Sequence, residues 1–187
     1  MAAPGGTGPI GPYPPGVEGE DAQVEYDKLR RRVLWTFPSG LFVIGSRDGD
    51  RRNGMTANWV SQVSFDPKLV AVSVDEHAFT HELIRASNVF TVCTIDREQR
   101  EVVRKFTKPV DVDTGAMTLN GFAYHDGPIT GVPVLDAAAA FVECEVRNTV
   151  DVGGHTLFIG EVVNSGFQKD EDTAVLRMED TRMSYGG

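Results

Sequence analysis

Asn53-Gly54-Met55-Thr56-Ala57-Asn58-Trp59-Val60-Ser61-Gln62-Val63-Ser64-Phe65-Asp66-Pro67 is the stretch on which the reading of this chain turns. It carries no charge until Asp66. Thr56, Asn58, Ser61, Gln62 and Ser64 crowd into it around Trp59, where a strand entering a core would carry more branched aliphatics. Small polar residues let a ligand approach the backbone, and their hydroxyls and amides bond carbonyls, ring nitrogens or phosphate oxygens. The same pattern also describes a half-buried strand with a polar outer face, and on composition alone both readings stand.

Working outward, residues 40–46 (Gly-Leu-Phe-Val-Ile-Gly-Ser) form an apolar strand, and the turn signal over residues 48–54 folds it back onto the central stretch as a hairpin. Asp66-Pro67 reads as a turn, and the run Leu69-Val70-Ala71-Val72-Ser73-Val74 after it as a buried strand. Residues 77–87 are expected to be a short helix capped by Thr80, whose free amides suit an anion. A strand over 88–95 and a second helix over 97–106 follow. Residues 107–138 hold Pro109, Gly115, Gly121, Gly127, Pro128, Gly131 and Pro133. They are expected to be irregular and, at that length, to cover a pocket or a subunit interface. Strands over 137–150 and 156–164 flank a turn at Gly153-Gly154-His155.

At the N-terminal end, Pro4, Pro9, Pro12, Pro14 and Pro15 alternate with glycines across residues 1–20, the composition of an extended or disordered tail. Residues 21–187 are then one domain. Its first element is a helix over 24–37, acidic at its start and basic at its end, stopped by Pro38. Many strands with short helices between them point to a mainly β barrel or sandwich.

The chain has 187 residues, 41% of them hydrophobic and 24% charged, with a net charge of −9. That size supports a sizeable core, and that charge excludes a broad nucleic-acid surface. Cys93 and Cys144 are too few for a disulfide scaffold and lack metal-ligand spacing, so buried thiols in a reducing cytoplasm are expected. No run of about 18 apolar residues exists and no secretory signal opens the chain, so no membrane association is expected. No GxGxxG follows a strand, and no Walker loop, HExxH or serine elbow occurs.

Taken in order, residues 37–44, Asn53-Gly54-Met55-Thr56-Ala57-Asn58-Trp59, Val63-Ser64-Phe65-Asp66-Pro67, residues 69–74, Phe90-Thr91-Val92 and residues 154–162 resemble the flavin reductase-like family with an FMN-binding split β-barrel. The resemblance covers roughly residues 30–165, and the succession carries it rather than any single motif. It implies a Greek-key-like split barrel that forms a homodimer with flavin near the interface. Met55, Thr56, Ala57, Asn58 and Trp59 match residues that meet the isoalloxazine. Ser61, Gln62, Val63 and Ser64 match those along the ribityl chain and phosphate. Thr80 matches a phosphate-side hydroxyl, and Lys105 and Phe106 match a basic and an aromatic residue beside the flavin. His155 matches a histidine near the nicotinamide and is the candidate catalytic residue. Ala78 and Cys93 depart from the family pattern.

The implied activity is an NAD(P)H-dependent flavin reductase. FMN is the expected flavin, with FAD or riboflavin open, NADH or NADPH is the co-substrate, and a monooxygenase is the partner receiving reduced flavin. Hydride transfer needs no side-chain nucleophile, in keeping with the missing triad and paired carboxylates. The alternative is an FMN-binding electron carrier or flavin-storage protein without its own nicotinamide activity. Without the resemblance, Trp59 reads as a packing anchor, His155 as an exposed turn residue, Lys105 as a solvated helix residue and Cys93 as a packed thiol.

Overall fold

The computed structural model describes residues 13–181 and divides into two compact units, one ending at Pro38 and the other beginning at Ser39. Residues 1–12 of the expected tail lie outside the described residues. In the first unit, helix α1 spans Glu20–Leu34, starting and ending a few residues before the expected 24–37. Glu20 and Asp21 occupy its first turn and Arg31 and Arg32 its last, complementing the helix dipole. Tyr13 folds back on this helix. Its hydroxyl donates to Asp27, its ring meets Tyr26 edge-on, and the Arg30 guanidinium lies over both rings.

The second unit holds a seven-stranded antiparallel sheet in the order β2-β1-β5-β10-β11-β4-β3. Its strands are β1 (Phe42–Asp48), β2 (Arg51–Ala57), β3 (Val60–Ser64), β4 (Leu69–Asp75), β5 (Val89–Ile95), β10 (Ala138–Asp151) and β11 (His155–Phe167). One face of the sheet builds the core, where Ile44, Val72, Val74, Phe90, Val92, Cys144 and Phe158 pack together with Ile84 of helix α2 (Phe79–Ser87). Val43 and Cys93, paired across β1 and β5, are buried on the opposite face, so these strands are covered on both sides. That explains their continuous apolar runs.

The central stretch is not one strand. β1 and β2 form the expected hairpin, but its turn is only Gly49-Asp50, and Arg51 to Gly54 already belong to β2. After Ala57 the chain bends at Asn58-Trp59 and enters β3. β2 and β3 are therefore consecutive in sequence yet occupy the two edges of the sheet. Two linking residues span at most about 10 Å, so the sheet curls until its edges approach. The sheet is thus not closed as a barrel: its edge strands β2 and β3 are joined only by the chain at this corner and do not pair.

Three further expectations need correction. Thr80 is not the cap of α2. Ala78 takes that position, no side chain caps the helix, and Thr80 lies inside it, fully buried. The helix expected over 97–106 is shorter, α3 at Arg100–Lys105. Residues 107–138 are not irregular but form a small second sheet of β6 (Val112–Asp113), β7 (Thr118–Leu119), β8 (Phe122–Asp126) and β9 (Pro133–Leu135). Gly45 of β1 lets this sheet come close, since a Cβ there would stand 2.3 Å from the Pro133 carbonyl oxygen. A 3₁₀ turn at Met178–Asp180 follows a bridge between Gly40 and Arg177.

Candidate functional site

The corner at Asn58-Trp59 divides the expected site residues into two groups. On the β2 side, Met55 and Ala57 point into the core. Thr56 points the other way, and its hydroxyl donates to the Val103 carbonyl (2.6 Å) while its N–H donates to the Phe106 carbonyl (3.0 Å). β2 is thereby stitched to α3, which brings Lys105 and Phe106 beside it. Phe106 is buried against Phe122 and under Gly54, while Lys105 is exposed. Asn53 donates to the Thr80 hydroxyl (2.8 Å), tying β2 to α2. Thr80 is 0% exposed and anchors the helix through this bond.

Beyond the corner the polar residues are open. Ser61, Gln62 and Val63 are exposed and Ser64 half-exposed. Ser61 and Gln62 make only local bonds, to the Gln62 and Ser64 carbonyls. Val60 packs against the core, so strand alternation turns Ser61 outward, beside its partner Ala71. By the same alternation Ser73 on β4, and His155 and Leu157 on β11, face outward, because Val72, Val74 and Phe158 face in. Ser73 is held to the corner by its N–H, which donates to the Trp59 carbonyl (3.1 Å). Small side chains thus pave a ledge that ends in an aromatic pair, Trp59 and His155, with ring centroids 5.2 Å apart and planes tilted by 58°. Trp59 is 46% exposed and His155 is half-buried. The sequence named both residues, and the structure puts them in contact.

Other groups around this ledge were not singled out from the sequence. Thr156 follows His155, and its hydroxyl donates to Asp151 Oδ1 (3.0 Å). Its oxygen therefore accepts from His81 Nε2 (2.9 Å), which fixes the proton of that imidazole on Nε2. Burial, reinforced by Arg85, lowers the pKa of His81 from the ordinary histidine value. The signal available in sequence was parity, since Thr156 sits in the inward register of Phe158 and Gly160.

On the inner side of β3 an apolar cleft of about 230 Å³ opens between Val60, Val70, Phe42, Val92, Phe141 and Val142. No residue lining it is titratable, so it can bury apolar surface but performs no proton chemistry. Cys93 and Cys144 are free buried thiols, which burial pushes up to about 11 and about 12. They contribute no nucleophile to the ledge. Among the described residues no helix is long and apolar enough to cross a membrane.

On this face Ser61 and Ser73 are small polar residues, with Ala71, only 5% exposed, between them and Trp59 at the corner. The N-terminus of α2, uncapped by any side chain, suits an anionic group. Comparison with known proteins bears on what such a surface is for. A family model described as the flavin reductase like domain matches residues 34–186. The chain is 32% identical over 136 residues to the high molecular weight rubredoxin of Moorella thermoacetica, covering 72% of this chain but only 58% of that protein. It is 32% identical over 138 residues to the NADH-dependent FAD reductase of Streptomyces globisporus, covering 72% of this chain and 73% of the relative. Among solved structures, the styrene monooxygenase flavin reductase of Pseudomonas putida S12 matches with a TM-score of 0.62 at 32% identity, over 73% of this chain and 85% of that one.

Proposed function

The chain belongs to the flavin reductase-like domain family, and on that premise we propose that it is an NAD(P)H-dependent flavin reductase acting at the ledge between Trp59 and His155. The observation that carries the proposal is the Trp59–His155 pair at the end of a strand surface of small side chains. A bound flavin would supply the hydride acceptor for a reduced nicotinamide, chemistry that belongs to the cofactor. Trp59 and the small residues Ser61, Ala71 and Ser73 hold the flat rings and exclude water from one face. His155 orients the nicotinamide. The uncapped start of α2 and the exposed Arg104 and Lys105 offset phosphate charge on a chain that is otherwise acidic.

FMN is the flavin we propose, with FAD as the competitor that the Streptomyces relative's name supports. NADH is favoured over NADPH on the same ground. A monooxygenase component as the recipient of reduced flavin is supported by the name of the Pseudomonas structure. The exposed apolar side chains Val63 (53%) and Phe65 (86%) at the β3–β4 turn support a homodimer. Two free buried thiols support a reducing cytoplasm.

The test is absorbance of the purified protein during titration with FMN, then with NADH under anaerobic conditions, followed by the same titration of His155→Ala. Flavin binding and rapid bleaching in the wild type, with slower bleaching and unchanged flavin affinity in the variant, are expected. Binding without bleaching by either nicotinamide would replace the proposal with an electron carrier or flavin-storage protein. Unchanged bleaching in the variant would remove His155 from the mechanism.

A further inference from the structure

The turn that carries His155 is held from several directions at once. Val152 N–H donates to the His155 carbonyl (2.8 Å), and Glu76 N–H donates to the Gly154 carbonyl (3.1 Å). His155 stands opposite Asp75 in the β4–β11 pairing. Behind it, Thr156 is 2% exposed and has both its proton and its oxygen engaged, donating to Asp151 and accepting from His81. Each flanking residue is itself fixed. The His81 ring meets Phe158 edge-on at 5.3 Å, and Arg85 binds the same Asp151 oxygen (3.3 Å).

Packing alone does not ask for this arrangement. The inward register of β11 continues with Phe158 and Gly160, and a valine at 156 would have the shape and the strand preference of threonine. A polar residue placed at an inward position, with every bonding group matched, marks a requirement beyond burial. The next residue along the chain is His155, whose ring lies on Trp59.

We infer that Thr156, with His81 and Asp151 as its two partners, is a positioning residue for His155, fixing the end of β11 so that the imidazole stays against Trp59. The inference rests on the reading of His155 given above. Thr156 touches neither substrate nor cofactor, and its effect passes entirely through its neighbour.

The experiment measures NADH oxidation by FMN-loaded protein, together with FMN affinity, for Thr156→Val, Thr156→Ser, His155→Ala and the double variant of Thr156→Val with His155→Ala. Thr156→Val keeps the shape and removes both hydrogen bonds. It is expected to raise KM for NADH several-fold, with kcat and FMN affinity little changed. Thr156→Ser restores the hydroxyl and the wild-type KM. In the His155→Ala background, Thr156→Val is expected to add nothing, because residues acting through one group are non-additive. His81→Phe removes the same bond from the other side while keeping a ring on Phe158, and it is expected to match Thr156→Val even where that variant folds poorly. An additive double variant, or an unchanged KM in both Thr156→Val and His81→Phe beside an impaired His155→Ala, overturns the inference. An unimpaired His155→Ala overturns the reading of His155 itself, and the inference with it.

Discussion

Replacing Glu143 with glutamine probes how the turn between β8 and β9 is held. Glu143 lies on β10 between Thr91 and Asn164 and is fully buried. Its carboxylate accepts from the N–H groups of Ile129 (3.3 Å) and Thr130 (3.0 Å), from the Thr130 hydroxyl (2.8 Å) and from Asn164 Nδ2 (2.8 Å). Burial pushes this carboxyl upward, but the four donors outweigh it and hold the group below the ordinary glutamate range. Glutamine has nearly the same shape. It can keep one oxygen for the Thr130 side, and Asn164 can rotate its amide to accept the new NH₂. What is lost is the charge on the acceptor, and hydrogen bonds to charged groups are worth about 1 kcal/mol more than neutral ones. With partial relaxation of the turn, a net loss of about 1–2 kcal/mol at neutral pH follows, a fall in Tm of about 2–8 °C for a chain of this size. The pH dependence has a definite sign. Because the folded-state pKa is depressed, the carboxylate's contribution is complete above the unfolded-state value of about 4.3 and fades as pH falls through the folded value. Thermal melts of both proteins from neutral to acid pH should therefore show a gap that is widest at neutrality and closes in acid. Equal melting at neutral pH, or a gap that stays constant into acid, would refute the idea that charge on Glu143 holds the turn.

Gly45→Ala should lower the urea midpoint by the equivalent of about 2–3 kcal/mol with an unchanged slope, because the new methyl group would stand 2.3 Å from both the Pro133 carbonyl oxygen and Thr91 Oγ1. Those two atoms already bond each other at 2.7 Å, so neither can retreat, and an unaltered midpoint would mean that β9 does not lie where it is described. Burial raises the thiols of Cys93 and Cys144 to about 11 and about 12, so neither should react with a disulfide reagent at neutral pH until denaturant is added. Rapid labelling of either thiol in the native protein would contradict its burial.

The strands legible in the sequence are those whose residues answer to one demand. β1, β4 and β5 are covered by apolar neighbours, and their runs of Val, Ile and Phe say so. β2 was half hidden because Arg51, Arg52, Asn53 and Gly54 resemble a turn. As an edge strand it uses these residues sideways: Arg51 binds Asp48 and Glu82, Arg52 binds Asp126, and Asn53 binds Thr80. β6, β7 and β9 are two or three residues long, too short for any alternation to register. The glycines and prolines between them read as loop, while Gly127 and Gly131 in fact lie close against the side chains of Glu143 on β10 and Arg47 on β1. Thr80 has the residue type of a helix cap, but its hydroxyl is committed to Asn53 inside the structure.

The central stretch shows why composition could not choose between an open polar surface and an ordinary strand, since it contains both. Before the corner, the polar groups of Asn53 and Thr56 bond inward to α2 and α3, and the side chains of Met55 and Ala57 pack in the core. Past the corner, the side chains of Ser61 and Gln62 bond carbonyls of their own strand and remain exposed. The same residue types thus serve as internal stitching on one side of Trp59 and as an open surface on the other. What divides them is the position of Asn58-Trp59 at the seam, a property of sheet order rather than of local pattern. The residues that meet this corner, His155 against Trp59 and His81 bonded to Thr156 behind it, come from β11 and α2, distant in sequence. A strand that reverses its role at a single bend can be recognised only once the elements packed against each half are known.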